Sequence, residues 1–210
     1  MELRKVISIY SAVMFSLFVF LLIPGVKQGF ESYHLSFLYI IVFSYIIANV
    51  ATPLVKAVAA YCHVVDKPGG RKIHLNATPL MGGAAVYAAF AVAILYNNVY
   101  SLELKGVAIG ATMVFVMGLV DDVKSLPAKL KLLVQIGATM VMIQYGVVAD
   151  FMPNTWWGKL AETLVTLIWV IGITNALNFF DGMDGLAAGL TAVCSLFVCI
   201  LAVQYGQKYV

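Results

Sequence analysis

The feature that most constrains this chain is a series of seven apolar runs, each close to the length that crosses a bilayer. They cover approximately Val6–Ile23, Phe37–Ala60, Pro79–Tyr96, Leu104–Val120, Leu132–Val148, Leu160–Ala176 and Leu186–Gln204. An α-helix needs about 20 residues to span the hydrocarbon core. None of the runs alternates polar and apolar residues as a barrel strand would, and within lipid a helix satisfies its own backbone. The expected fold is all-α: a single polytopic membrane domain over residues 1–210, with about seven transmembrane helices. Composition agrees, since 62% of the residues are hydrophobic and 11% charged, against about 45–50% and 25% in soluble domains. That balance excludes a soluble globular domain, a disordered chain and a disulfide scaffold. A net charge of +3 is too small to imply a nucleic-acid partner; the partner is the lipid bilayer. The first run follows Arg4-Lys5 and is long for a signal peptide, so it is expected to stay as an anchor.

Lysine and arginine set the orientation. With the N-terminus in the cytoplasm, the inside segments hold nine of them: Arg4, Lys5, Lys56, Lys67, Arg71, Lys72, Lys124, Lys129 and Lys131. The outside segments hold four: Lys27, Lys105, Lys159 and Lys208. Positive charge favours the cytoplasmic side. Trp156-Trp157 then falls at the outer interface, where indoles are favoured. Gly106-x-x-x-Gly110 and Gly185-x-x-x-Gly189 are spaced for close helix packing.

On this topology the polar residues gather at one face. Asp121-Asp122 ends the fourth run, where a helix C-terminus is already partly negative. Two carboxylates there need a positive partner: a divalent metal, or Lys124, Lys129 and Lys131. After the sixth run Asn175, Asn178, Asp181 and Asp184 recur every three residues, a spacing that shares one helix face. Carboxamide and carboxylate oxygens suit Mg²⁺ or Mn²⁺ better than zinc. Gly182 and Gly185 would let the backbone turn there. A basic, Gly/Pro-punctuated loop with Arg71, Lys72 and His74 leads into the third run; such side chains suit phosphate, although positive-inside anchoring alone would also place them. No P-loop, Cys-x-x-Cys, His-Glu-x-x-His or Gly-x-Ser-x-Gly motif is present.

Three motifs then stand in order: Arg71-Lys72-x-His74-x₃-Thr78-Pro79-x₂-Gly82-Gly83; Gly118-x₂-Asp121-Asp122 followed by Lys131-x₃-Gln135; and Asn175-Ala-x-Asn178-Phe-x-Asp181-Gly-x-Asp184-Gly-Leu-Ala-Ala-Gly189. Together they resemble the polyprenyl-phosphate N-acetylhexosamine-1-phosphate transferases, a glycosyltransferase 4 type family, and most of all its bacterial undecaprenyl-phosphate GlcNAc-1-phosphate branch. The resemblance implies an enzyme of the inner membrane that starts synthesis of a cell-envelope polysaccharide such as lipopolysaccharide. Its partners would be a UDP-N-acetylhexosamine and undecaprenyl phosphate, its cofactor Mg²⁺, and a homodimer is compatible. Asn178 matches the metal-ligand position. Asp121 and Asp122 match the catalytic pair near metal and acceptor. Arg71, Lys72, His74 and Lys131 match phosphate-side positions; Asn175, Asp181 and Asp184 match the donor side. A phosphate monoester is largely dianionic at neutral pH, so direct displacement is the expected chemistry.

Members of that family continue into a Gly-Asp-x-Gly-Ser type loop and a His-rich loop, and neither occurs here; the histidines are His34, His63 and His74. The chain is therefore expected to be truncated and inactive alone. Two other classes are weighed. A transporter predicts acids near the bilayer midplane; a non-catalytic scaffold of a polysaccharide assembly complex predicts an incomplete motif set.

Overall fold

The computed structural model describes residues 2–66, 78–97, 100–183 and 185–204. Its elements are α1 (Glu2–Leu21), α2 (Pro24–Ser32), α3 (Ser36–Tyr61), β1 (Val65–Asp66), β2 (Thr78–Pro79), α4 (Gly82–Asn97), α5 (Leu102–Val123), α6 (Ala128–Gln144), α7 (Trp156–Phe180) and α8 (Leu186–Gln204). The fold is helical, with one pairing of two-residue strands, β1 antiparallel to β2. Among the described residues, α3, α5 and α7 are long and apolar enough to cross a membrane, and α1 with α2 forms a fourth candidate bent by 70°. Helices α4 and α8 are apolar but shorter. The expected boundaries of the second and seventh runs match α3 and α8. The fifth is displaced: α6 begins at Ala128, taking in Lys129 and Lys131, and ends at Gln144.

The chain forms two compact units. The first comprises Met1–Tyr100 and Val114–Pro127. Its core is Leu21, Tyr39, Phe43, Ile46, Ile47, Ala89 and Ala93. Ala85, Ala89 and Ala93 lie buried at four-residue intervals along α4, and small side chains let helices approach closely. The first expected run, Val6–Ile23, ends at a break: α1 stops at Leu21, and the short helix α2, which no expected run covers, follows from Pro24. Pro24 stands at the start of α2, where it can donate no hydrogen bond back into α1. Tyrosines take up carbonyls at the break: Tyr39 Oη donates to Leu21 O at 2.7 Å, and Tyr96 Oη to Leu22 O at 3.2 Å. Lys27 Nζ donates to Tyr96 O at 3.3 Å and stands 5.1 Å from the Tyr96 ring centre, so α2 is fixed from both sides of its bend.

The second unit comprises Ser101–Met113 and Ala128–Val210. Here α5 meets α6 along the first small-residue pair. A methyl group on Gly106 would collide with Tyr145 Cβ, and one on Gly110 would lie 2.9 Å from Met142 Cγ. The second pair behaves differently: Gly185 and Gly189 have no neighbour within 4 Å among the described residues. The α6–α7 connection is gathered onto α7 by two buried side chains. Glu162 Oε1 accepts from Phe151 N at 3.0 Å and Met152 N at 2.8 Å, and Thr166 Oγ1 accepts from Ala149 N at 3.0 Å. Thr155 then caps α7 by accepting from Gly158 N at 3.2 Å.

Candidate functional site

In the first unit the aspartate pair lies inside the last turn of α5, which runs to Val123, three residues past the expected end at Val120. Backbone donors account for the extension. Asp121 Oδ1 accepts from Leu126 N at 2.8 Å, folding the following turn back onto the helix end. Asp122 Oδ2 accepts from Met81 N at 3.0 Å. Backbone N–H groups thus face the two carboxylates at a helix end whose dipole repels them.

The Met81 contact has a wider meaning. Val65 pairs with Pro79 and Asp66 with Thr78, and Leu80 N donates to Val64 O at 3.0 Å. Both ends of the Gly/Pro-punctuated segment therefore meet at the short ladder. Met81, just after it, holds a left-handed backbone with φ 70°, an unfavourable conformation for a side chain of its size. It directs its N–H to Asp122. The carboxylate pair is fastened to the base of the segment that carries the basic motif. Arg71, Lys72 and His74 themselves lie outside the described residues.

In the second unit Asn175 and Asn178 lie on the last turns of α7, and Asp181 is its C-cap, with its N–H donating to Leu177 O at 3.1 Å. The three-residue spacing is thus helical through Asp181. Asn178 and Asp181 are exposed. Asn175 is engaged within the fold: its Nδ2 donates to Gln135 Oε1 and to Ile171 O, each at 2.8 Å. Of the two glycines expected to turn the chain, Gly185 has a left-handed φ of 76°, and Gly182 does not. Asp184 lies outside the described residues. Lys131 is half-buried in the first turns of α6.

Three participants were not singled out from sequence. The N–H of Met81 leaves no sequence trace. Gln135 was visible as part of a motif, and an amide inside an apolar helix is itself a signal. Glu162, a lone acid within the sixth run, was visible on the same ground. The acids Asp121, Asp122 and Asp181 sit at helix ends, which does not favour the ion-path alternative.

Among the described residues no group of three or more His, Cys, Asp or Glu side chains could hold a metal. The Asp121 and Asp122 carboxylates in the first unit and the Asn178 carboxamide and Asp181 carboxylate in the second are hard oxygens, the donor type that suits Mg²⁺ rather than zinc.

Residues 104–210 match the model of glycosyl transferase family 4. A "Probable undecaprenyl-phosphate N-acetylglucosaminyl 1-phosphate transferase" of Bacillus subtilis is 34% identical over 165 residues, covering 75% of this chain and 46% of that protein. A decaprenyl-phosphate N-acetylglucosaminephosphotransferase of Mycolicibacterium smegmatis is 34% identical over 174 residues, covering 75% of this chain and 43% of its own length. An undecaprenyl-phosphate alpha-N-acetylglucosaminyl 1-phosphate transferase of Escherichia coli is 32% identical over 148 residues, covering 66% and 39%. The chain thus spans less than half the length of these relatives. No solved structure matches it.

Proposed function

This chain belongs to glycosyl transferase family 4, and from that premise we propose that it serves in moving N-acetylglucosamine-1-phosphate from UDP-GlcNAc to a polyprenyl phosphate. The observation that carries the reading is the bond from Met81 N to Asp122 Oδ2. It fastens a carboxylate pair to the base of a basic segment, the combination a phosphate-to-phosphate transfer requires.

The reaction runs as a single displacement. An oxygen of the acceptor phosphate attacks the β-phosphorus of the donor. The bond from that phosphorus to the bridging oxygen breaks, and UMP departs with the bond's electrons. The acceptor is already mostly dianionic near pH 7, so no strong base is needed. By motif position, Arg71, Lys72, His74 and Lys131 bind phosphate oxygens, while Asp181 and Asp184 bind on the donor side. By motif position, Asn178 matches a Mg²⁺ ligand, and Asp121 and Asp122 match the acidic pair that supplies carboxylates to the metal. When bound, that ion supplies neutralisation of the diphosphate charge.

The proposal extends to architecture: seven membrane crossings, with the N-terminus and the motif ends of α5 and α7 at the cytoplasmic face of the inner membrane. There a lipid acceptor and a water-soluble donor can meet. The product would feed assembly of a cell-envelope polysaccharide. The test is UMP release by the complete protein that carries these residues, with UDP-GlcNAc, undecaprenyl phosphate and Mg²⁺. Release that requires both lipid and Mg²⁺ is expected. Release without acceptor would mean a hydrolase, and no release would defeat the reading.

A further inference from the structure

The second unit holds an amide–amide contact between α6 and α7. Gln135 on α6 is 7% exposed. Its Oε1 accepts from Asn175 Nδ2 at 2.8 Å, and its Nε2 approaches Asn175 Oδ1 at 3.5 Å. Around it, Ala138 and Thr139 are buried, and Thr139 turns its hydroxyl back onto Gln135 O at 2.8 Å. Gln135 is the buried partner and Asn175 is exposed; a buried carboxamide left without a partner is costly.

The pair also fixes alignment. Helices α6 and α7 run antiparallel: position 135 meets 175, while residues 149, 151 and 152 beyond α6 meet 166 and 162. Sliding either helix by one turn, about 5.4 Å, would part the two amides and take from the buried Gln135 its Asn175 partner, while Asn175 keeps its bond to Ile171 O. A single polar contact with a buried partner can specify helix register in this way. Register in turn places other residues. Lys131 stands four residues before Gln135 and so shares its face of α6. Asn178 stands three residues after Asn175 on α7. Because the helices are antiparallel, both lie toward the same end of the seam, about 6 Å and about 4.5 Å along the axis from the amide pair at 1.5 Å per residue.

We infer that Gln135 is a positioning residue: its bridge to Asn175 sets the register of α6 against α7 and so brings Lys131 level with Asn178. Asn175 acts through the same bridge, since its amide hydrogens go to Gln135 and Ile171. The functional consequence rests on the proposed phosphotransfer. A basic side chain and an oxygen ligand held at one level can address one donor diphosphate.

The register is tested without activity. Cysteines replace Lys131 and Asn178 in a protein whose other cysteines are changed to serine, and a short bifunctional methanethiosulfonate crosslinks them in membranes. Gln135→Leu should slow crosslinking about tenfold, the effect of a coupling within the usual range for contacting residues. The milder Gln135→Asn should slow it less. The exchanged pair Gln135→Asn with Asn175→Gln should restore it. Equal rates in all four proteins would overturn the inference.

The consequence is tested by UMP release from the complete protein, with Lys131 and Asn178 intact. Gln135→Asn should raise the half-activating Mg²⁺ concentration severalfold, and the exchanged pair should bring it back. A lower maximal rate at an unchanged Mg²⁺ requirement would mean only less folded protein, and would overturn the positioning role. A wild-type protein that releases no UMP would defeat the proposed reaction, with the register then decided by crosslinking alone.

Discussion

Alanine at the helix glycines should change stability in opposite directions depending on what each glycine faces. At Gly106 the added carbon would overlap Tyr145 Cβ and lie 3.4 Å from Met142 O. Neither atom is the far end of a flexible side chain, so relief requires α5 and α6 to move apart. Overpacking of this kind costs about 1–3 kcal/mol, against a gain of about 1 kcal/mol for replacing a helical glycine. The net expectation for Gly106→Ala is a loss of up to about 2 kcal/mol. At Gly110 the nearest atoms are Met142 Cγ at 2.9 Å and Sδ at 3.1 Å, and a methionine side chain can yield. Gly110→Ala should therefore fall between the extremes. Among the described residues Gly172 and Gly189 meet nothing within 4 Å, and alanine there should stabilise by about 0.5–1 kcal/mol. Steric trapping in bicelles measures these differences directly. A Gly106→Ala protein as stable as Gly189→Ala would refute the close α5–α6 seam.

Glu162→Ala should destabilise by about 2–4 kcal/mol, because two backbone N–H groups lose their acceptor. Glu162→Gln keeps an acceptor oxygen and should lose less than half of that; equal losses in the same unfolding assay would contradict the clamp. Asp122→Asn keeps an oxygen for Met81 N–H but removes the charge. It should leave stability within about 1 kcal/mol and lower UMP release about 10²–10³-fold, whereas Asp122→Ala should lose stability as well. Single cysteines report topology: one at Ser125 should be labelled only from the cytoplasmic side and one at Asn154 only from outside. The reverse pattern would remove the shared active face.

Much of this molecule is written in its hydropathy. The runs at Phe37–Ala60 and Leu186–Gln204 coincide with α3 and α8 to within a residue, because a helix in lipid is delimited mainly by where apolar residues stop. The pattern fails where a few polar atoms decide the backbone. Helix α2, from Pro24, has no counterpart among the expected runs, and the Tyr39 and Tyr96 hydroxyls that take up Leu21 O and Leu22 O before it come from positions 18 and 74 residues away. A hydropathy window sees neither partner. The extension of α5 to Val123 likewise depends on Asp121 and Asp122 finding donors in Leu126 and Met81. Of the site, the acidic and amide spacing was legible, and so was the glycine turn at Gly185. The division of labour within the Asn/Asp row was not, since only the packing of α6 on α7 assigns Asn175 to Gln135. The two small-residue motifs read identically in sequence; among the described residues, Gly106 and Gly110 have a neighbouring helix against them and Gly185 and Gly189 do not.

The most direct test of the central claim follows the donor's phosphorus. The complete protein that carries these residues would be given undecaprenyl phosphate, Mg²⁺ and UDP-GlcNAc labelled with ³²P at the β-phosphorus. Displacement at that phosphorus predicts that the label enters the lipid together with the sugar, while unlabelled UMP is released. Label leaving as UDP, with only the sugar on the lipid, would show attack at the sugar carbon and contradict the account.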